Sequence, residues 1–107
     1  MKEAGIIERL FAVIAARRGT PPDQSYTASL LAKDVDEVAR KLGEEAVETM
    51  IAAVRESREA AVRESADLLY HLLVLWARLG ITPEDVAAEL KRREGTSGHD
   101  EKRSRGK

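Results

Sequence analysis

The chain has 107 residues, 18 basic and 19 acidic, for a formal net charge of -1; 43% are hydrophobic and 35% charged. That length suits one domain, and the charge balance excludes both a globally basic nucleic-acid binder and an acidic disordered chain. Cysteine is absent and histidine occurs only as His71 and His99, which rules out disulfides, thiol catalysis and Cys- or His-rich metal sites. No apolar run approaches the roughly 18 residues of a membrane span, and Met1-Lys2-Glu3 opens no signal peptide, so a soluble cytoplasmic domain is expected.

Ala, Leu, Glu and Arg dominate, and no alternating β-branched segment competes with them, so the chain reads as all-α. Over residues 2–18, Ile6, Ile7, Leu10, Phe11 and Ile14 recur at helical spacing as one apolar stripe. Gly19-Thr20-Pro21-Pro22-Asp23 then breaks the chain, and residues 25–33 predict one or two helical turns. Residues 34–56 predict a long helix: Asp34-x-x-Glu37 resembles a capping box, and Val38, Leu42, Val47, Ile51 and Val54 supply its apolar side. Gly43 inside it costs about 1 kcal/mol relative to Ala, so tertiary support is expected there. Ser57 is placed to cap a second long helix that Gly80 stops, and Thr82-Pro83-Glu84-Asp85 starts another that runs to about residue 93. Residues 1–94 thus form the expected domain, a bundle of four to five helices. Residues 95–107 carry no apolar side chain and are expected to be a mobile tail unless a ligand orders them.

Acidic residues on the two long helices stand out from this pattern. Glu45 and Glu48 are three apart on the first, Glu64 and Asp67 three apart on the second, with His71 one turn further on. Any one such pair is most often a solvated face. Asp67, however, lies in a Leu-rich run where the polar stripe is narrow, so a half-buried carboxylate in need of a partner is expected, with Arg63 and Arg78 as the ordinary candidates. Two pairs on neighbouring helices would converge as four negative charges, which a hard cation such as Mg²⁺ resolves. Glu-x-x-His, the di-iron bundle pattern, is not met, because Asp67 occupies the third position after Glu64. His71 on a Leu-lined helix reads first as a packed, hydrogen-bonded residue.

Glu45-x-x-Glu48, fifteen residues, then Glu64-x-x-Asp67 resembles the ExxE…ExxD signature of the all-α, MazG-like nucleoside triphosphate pyrophosphohydrolases. Further segments sharpen the resemblance to the phosphoribosyl-ATP pyrophosphatases of histidine biosynthesis: Ser25-Tyr26-Thr27-Ala28-Ser29-Leu30, Lys41-Leu42-Gly43-Glu44-Glu45, Ala66-Asp67-Leu68-Leu69-Tyr70-His71-Leu72, and Ser97-Gly98-His99-Asp100-Glu101-Lys102-Arg103-Ser104-Arg105. The resemblance implies hydrolysis of the α–β phosphoanhydride of phosphoribosyl-ATP, with Glu45, Glu48, Glu64 and Asp67 as Mg²⁺ ligands. Glu44 is the extra acid of the motif, either a second-metal or water-orienting group or a helix-surface charge. Lys33 and Lys41, then Lys102, Arg103 and Arg105, are the candidates to meet substrate phosphates. Two alternatives stand beside this reading: a house-cleaning pyrophosphohydrolase, which a substrate panel separates, and a non-catalytic helical dimer, which predicts neither Mg²⁺ binding nor hydrolysis. At minimum a homodimer is expected, with a four-helix-bundle core. Leu68, Leu69, Leu72, Leu73, Leu75, Trp76 and Leu79 spread around their helix more widely than one neighbour covers.

Overall fold

The computed structural model describes residues 5–95 and 98–105, the side chains of Asp100, Glu101 and Ser104 excepted. Residues 1–4, with the expected helix start at residue 2, lie outside the described residues, as do 96, 97, 106 and 107 of the tail. Among the described residues there is no strand. The helices are α1 (Ile6–Ala16), α2 (Tyr26–Leu31), α3 (Val35–Arg55), α4 (Arg58–Leu79), α5 (Pro83–Arg92) and α6 (Gly98–Ser104), with a 3-10 turn (Pro22–Gln24) before α2. The bundle of five precedes a short sixth helix, formed within the segment read as a mobile tail. Lys102 and Arg103 occupy the last turn of α6, where cations suit the negative end of the helix dipole.

Local signals set the boundaries. Oδ1 of Asp34 accepts from the Glu37 amide at 2.9 Å, Oγ of Ser57 from the Ala60 amide at 3.1 Å, and Thr82 and Asp85 form a complete capping box. At Asp34 only half of the box forms, since the Glu37 carboxylate turns to Arg40 instead. Gly80 ends α4 in the left-handed conformation, φ 76°, which glycine adopts without steric cost.

The long helices α3 and α4, separated by the two residues Glu56 and Ser57, form an antiparallel hairpin that is the frame of the molecule. Its open end is closed by α1 and α2 around a core of Ile14, Leu30, Val38, Leu73, Val74 and Ala77. Ile7, Leu10 and Phe11 pack against that core, whereas Ile6 faces out. The Arg18 guanidinium donates to the Ala77 carbonyl, and the Thr27 and Tyr70 hydroxyls share a hydrogen bond, so both N-terminal elements are also tied to α4 by polar contacts.

One expected face is split. The inward stripe of α3 is Val38, Glu45 and Ala52, with Leu42 and Thr49 partly buried, while Val47, Ile51 and Val54 are exposed. Apolar spacing identified a face to be covered, but the side packed on α4 carries small and acidic residues. The space beside Gly43 is likewise open, with nothing within 4 Å of where a Cβ would stand. On α4, Leu73 is fully buried, Leu68, Leu72, Leu75 and Trp76 are partly so, and Leu69 and Leu79 are exposed.

Candidate active site

Antiparallel pairing of α3 and α4 sets Glu45 and Glu48 opposite Glu64. One carboxylate oxygen from each of the three lies within 4.8 Å of the other two. Glu45 is only 6% exposed, Glu64 is half-buried and Glu48 is exposed, so the group opens to solvent on one side. Burial, followed by the charges of Glu48, Asp67 and Glu45, raises the Glu64 carboxyl above its ordinary value. Oε1 of Glu64 is buried with no hydrogen-bond partner. A buried, unpartnered carboxylate oxygen facing two further carboxylates is costly, and an oxygen-seeking divalent cation would complete it.

Asp67 departs from expectation. It is exposed rather than half-buried, and it stands outside the three-oxygen group, acting on Glu64 through its charge. The wide apolar arc that suggested its burial includes Leu69 and Leu79, which themselves face solvent. Glu44 is not one of the three and pairs with Arg40 and Lys41.

Thr49, a residue the sequence did not nominate, holds the two helices in place. Its hydroxyl lies 2.8 Å from the Glu45 carbonyl and 3.1 Å from that of Glu64, so a single donor is shared across the hairpin at the level of the acids. Its position one turn after Glu45 on the inward face was the available signal. His71 is 7% exposed, and its Nδ1 donates to the Asp67 carbonyl at 2.8 Å, as a packed histidine should. Its Nε2 is buried without a partner.

A cleft of about 240 Å³ adjoins the acids, lined by Tyr26, Ser29, Leu30 and Lys33 on one side and Glu37, Arg40 and Lys41 of α3 on the other. Lys41 belongs to both places, with Nζ 3.7 Å from Glu45 and 3.7 Å from Glu44. Partial burial opposes the Lys41 charge, but the electrostatic attraction of Tyr26, Glu45 and Glu44 outweighs it and holds the ammonium above its ordinary value. Lys33 and Lys41 are therefore brought to one cleft, while Arg40 and Tyr26 join them from outside the sequence nomination. Lys102, Arg103 and Arg105 are exposed, on or just after α6, and line neither the cleft nor the carboxylate group.

A family model described as phosphoribosyl-ATP pyrophosphohydrolase matches residues 7–94. The chain belongs to this family. Within it, the chain is 58% identical to the phosphoribosyl-ATP pyrophosphatase of Paramagnetospirillum magneticum, over 99% of this chain and 97% of that one. It is 60% identical to the protein of the same name from Parvibaculum lavamentivorans, over 97% and 95% of the two chains. The protein of that name from Azospirillum brasilense is 52% identical, over 95% and 92%. The family match takes in α3 and α4 entirely, and with them every carboxylate of the site.

Proposed function

We propose that this chain hydrolyses phosphoribosyl-ATP to phosphoribosyl-AMP and pyrophosphate, the second step of histidine biosynthesis, in a reaction that requires Mg²⁺. The observation that carries the reading is the three-oxygen group of Glu45, Glu48 and Glu64 with its unpartnered Oε1, in a chain of this family. Those three residues would hold the ion, with Asp67 reaching it from the next turn of α4. An ion held by them would supply neutralisation of phosphate charge and a more acidic water. The chain's own part is positional: the Thr49 hydroxyl ties α3 to α4 at the level of the acids, and Lys41 extends positive charge from Glu45 into the cleft. In this reading Lys102, Arg103 and Arg105 meet the phosphates from the tail, and Glu44 steers Arg40 and Lys41.

The working unit in this reading is a homodimer. Met50 is 63% and Val54 76% exposed on α3, and Val62 and Leu69 are exposed on α4. The radius of gyration is 16.1 Å, against about 13 Å for a compact chain of ~100 residues. A second hairpin laid on this face completes a four-helix bundle. No helix among the described residues is long and apolar enough to cross a membrane. In this reading the enzyme acts in the cytoplasm, where ATP is available to build its substrate.

The test is release of pyrophosphate from phosphoribosyl-ATP by the purified protein, with and without Mg²⁺, beside a panel of dUTP, dCTP and ATP. Mg²⁺-dependent release with phosphoribosyl-ATP strongly preferred is expected. Preference for a panel nucleotide would establish the house-cleaning alternative instead.

A further inference from the structure

We infer that the cleft between α2 and the first half of α3 receives the 5′-phosphate of the substrate's phosphoribosyl arm. The inference rests on the reading of the chain as a phosphoribosyl-ATP hydrolase. Its first support is size. At about 240 Å³ the cleft is smaller than the roughly 300–1,000 Å³ of sites that hold a whole ligand, so it suits one arm of a larger molecule. Its second support is position. Lys41 lines the cleft and also touches Glu45, so a molecule whose triphosphate lies on the carboxylates has its remaining end within reach of the cleft.

Charge selects which end. Of the three cations lining the cleft, Arg40 is paired with Glu37 and Glu44 and Lys41 with Glu44 and Glu45, which leaves Lys33 as the one without an ion pair among the described residues. A phosphate monoester carries about -1.5 to -2 at neutral pH and supplies three acceptor oxygens, enough to pair Lys33 and to accept from Arg40 and Lys41 as well. A purine ring in the same space would leave Lys33 without a counter-charge. Arg40 is held by Glu37 and Glu44, so its donors are already oriented. Lys33 is set in place through its backbone, whose carbonyl accepts from Arg78 Nε at 3.1 Å. The cleft therefore reads a group that phosphoribosyl-ATP has and ATP lacks, and α2 becomes the element that sets specificity while α3 and α4 carry the chemistry.

The test uses the full chain and two probes, ribose 5-phosphate and inorganic pyrophosphate, titrated by NMR into wild type, Lys33→Met and Lys33→Arg. Ribose 5-phosphate should shift resonances of α2 and the start of α3. Lys33→Met should weaken its binding about tenfold or more, as loss of a charged hydrogen bond does, and Lys33→Arg should restore it. In kinetics, Lys33→Met should raise KM for phosphoribosyl-ATP by a similar factor while kcat changes much less. Ribose 5-phosphate that leaves those resonances unmoved, or binds Lys33→Met as well as wild type, overturns the inference. So does Lys33-dependent binding of pyrophosphate alone, which would make the cleft the leaving-group site. Lys33-dependent binding of ribose 5-phosphate by a protein that leaves phosphoribosyl-ATP intact would overturn the hydrolase reading and uphold the cleft.

Discussion

Where α3 begins and α4 ends, Val38, Leu73, Val74 and Ala77 are buried together with Ile14 of α1 and Leu30 of α2. At the opposite end of the same hairpin the buried residues are Ala52 and Ala60, while Met50, Ile51, Val54 and Val62 face solvent. One end has thus been closed by the chain's own N-terminal helices, and the other presents apolar surface that no other described element covers. The carboxylates lie between the two. Their geometry depends on a packed end that holds the helices in register, and the open end is where the proposed dimer would bring a second copy.

The comparison can be broken at three levels. The largest effect is expected midway, at the acids. Glu48→Gln keeps shape and removes one of three converging carboxylates, so pyrophosphate release should fall by on the order of a hundredfold or more with the fold intact. Asp67→Asn should cost a comparable factor, because the proposed site has Asp67 reach the ion although it is exposed and stands outside the three-oxygen group. A much smaller loss in steady-state assays would remove Asp67 from the ligand set.

Next come the two ends. Leu73→Ala should remove about 2–5 kcal/mol of stability in chemical denaturation, because the site is fully buried. Val54→Glu should leave each subunit folded and instead convert dimer to monomer in sedimentation. If Val54→Glu sediments like wild type, the hairpin end is not an interface.

The smallest effect sharpens the electrostatics. The folded state raises the Glu64 carboxyl above its ordinary 4.5, so the folded protein binds that proton more tightly than the unfolded chain. The resulting stability is present below about pH 4.5 and is lost as pH rises through the folded value. Glu64→Gln should therefore be more stable than wild type at pH 7 in EDTA, and the difference should vanish near pH 4. Denaturation curves at the two pH values check this, and Mg²⁺ should reverse the pH 7 advantage by favouring wild type.

What was legible in the sequence was local. Asp34, Ser57 and Thr82 cap helices because their side chains reach amides three residues on, and Gly80 ends one because of its own backbone freedom. The pairing of Glu45 and Glu48 with Glu64 also followed, since two adjacent helices joined by a tight turn must run antiparallel. The orientation of α3 did not follow. Apolar periodicity marks a face to be covered without saying what covers it, so Val47, Ile51 and Val54 read as one apolar side with Val38 and Leu42 although they stand exposed. Asp67 was misplaced by the same reasoning, and the cleft escaped notice because Tyr26 and Arg40 meet only once α2 is laid across α3.

The tight link between α3 and α4 has a kinetic consequence. Contacts made within a hairpin whose turn is Glu56 and Ser57 close short loops and carry little closure entropy. The acids should therefore be brought together early in folding, before the more distant α1 and α2 dock on the far end. Refolding followed at the hairpin should be fast and independent of protein concentration, and association should follow as a slower phase that quickens as the protein is concentrated.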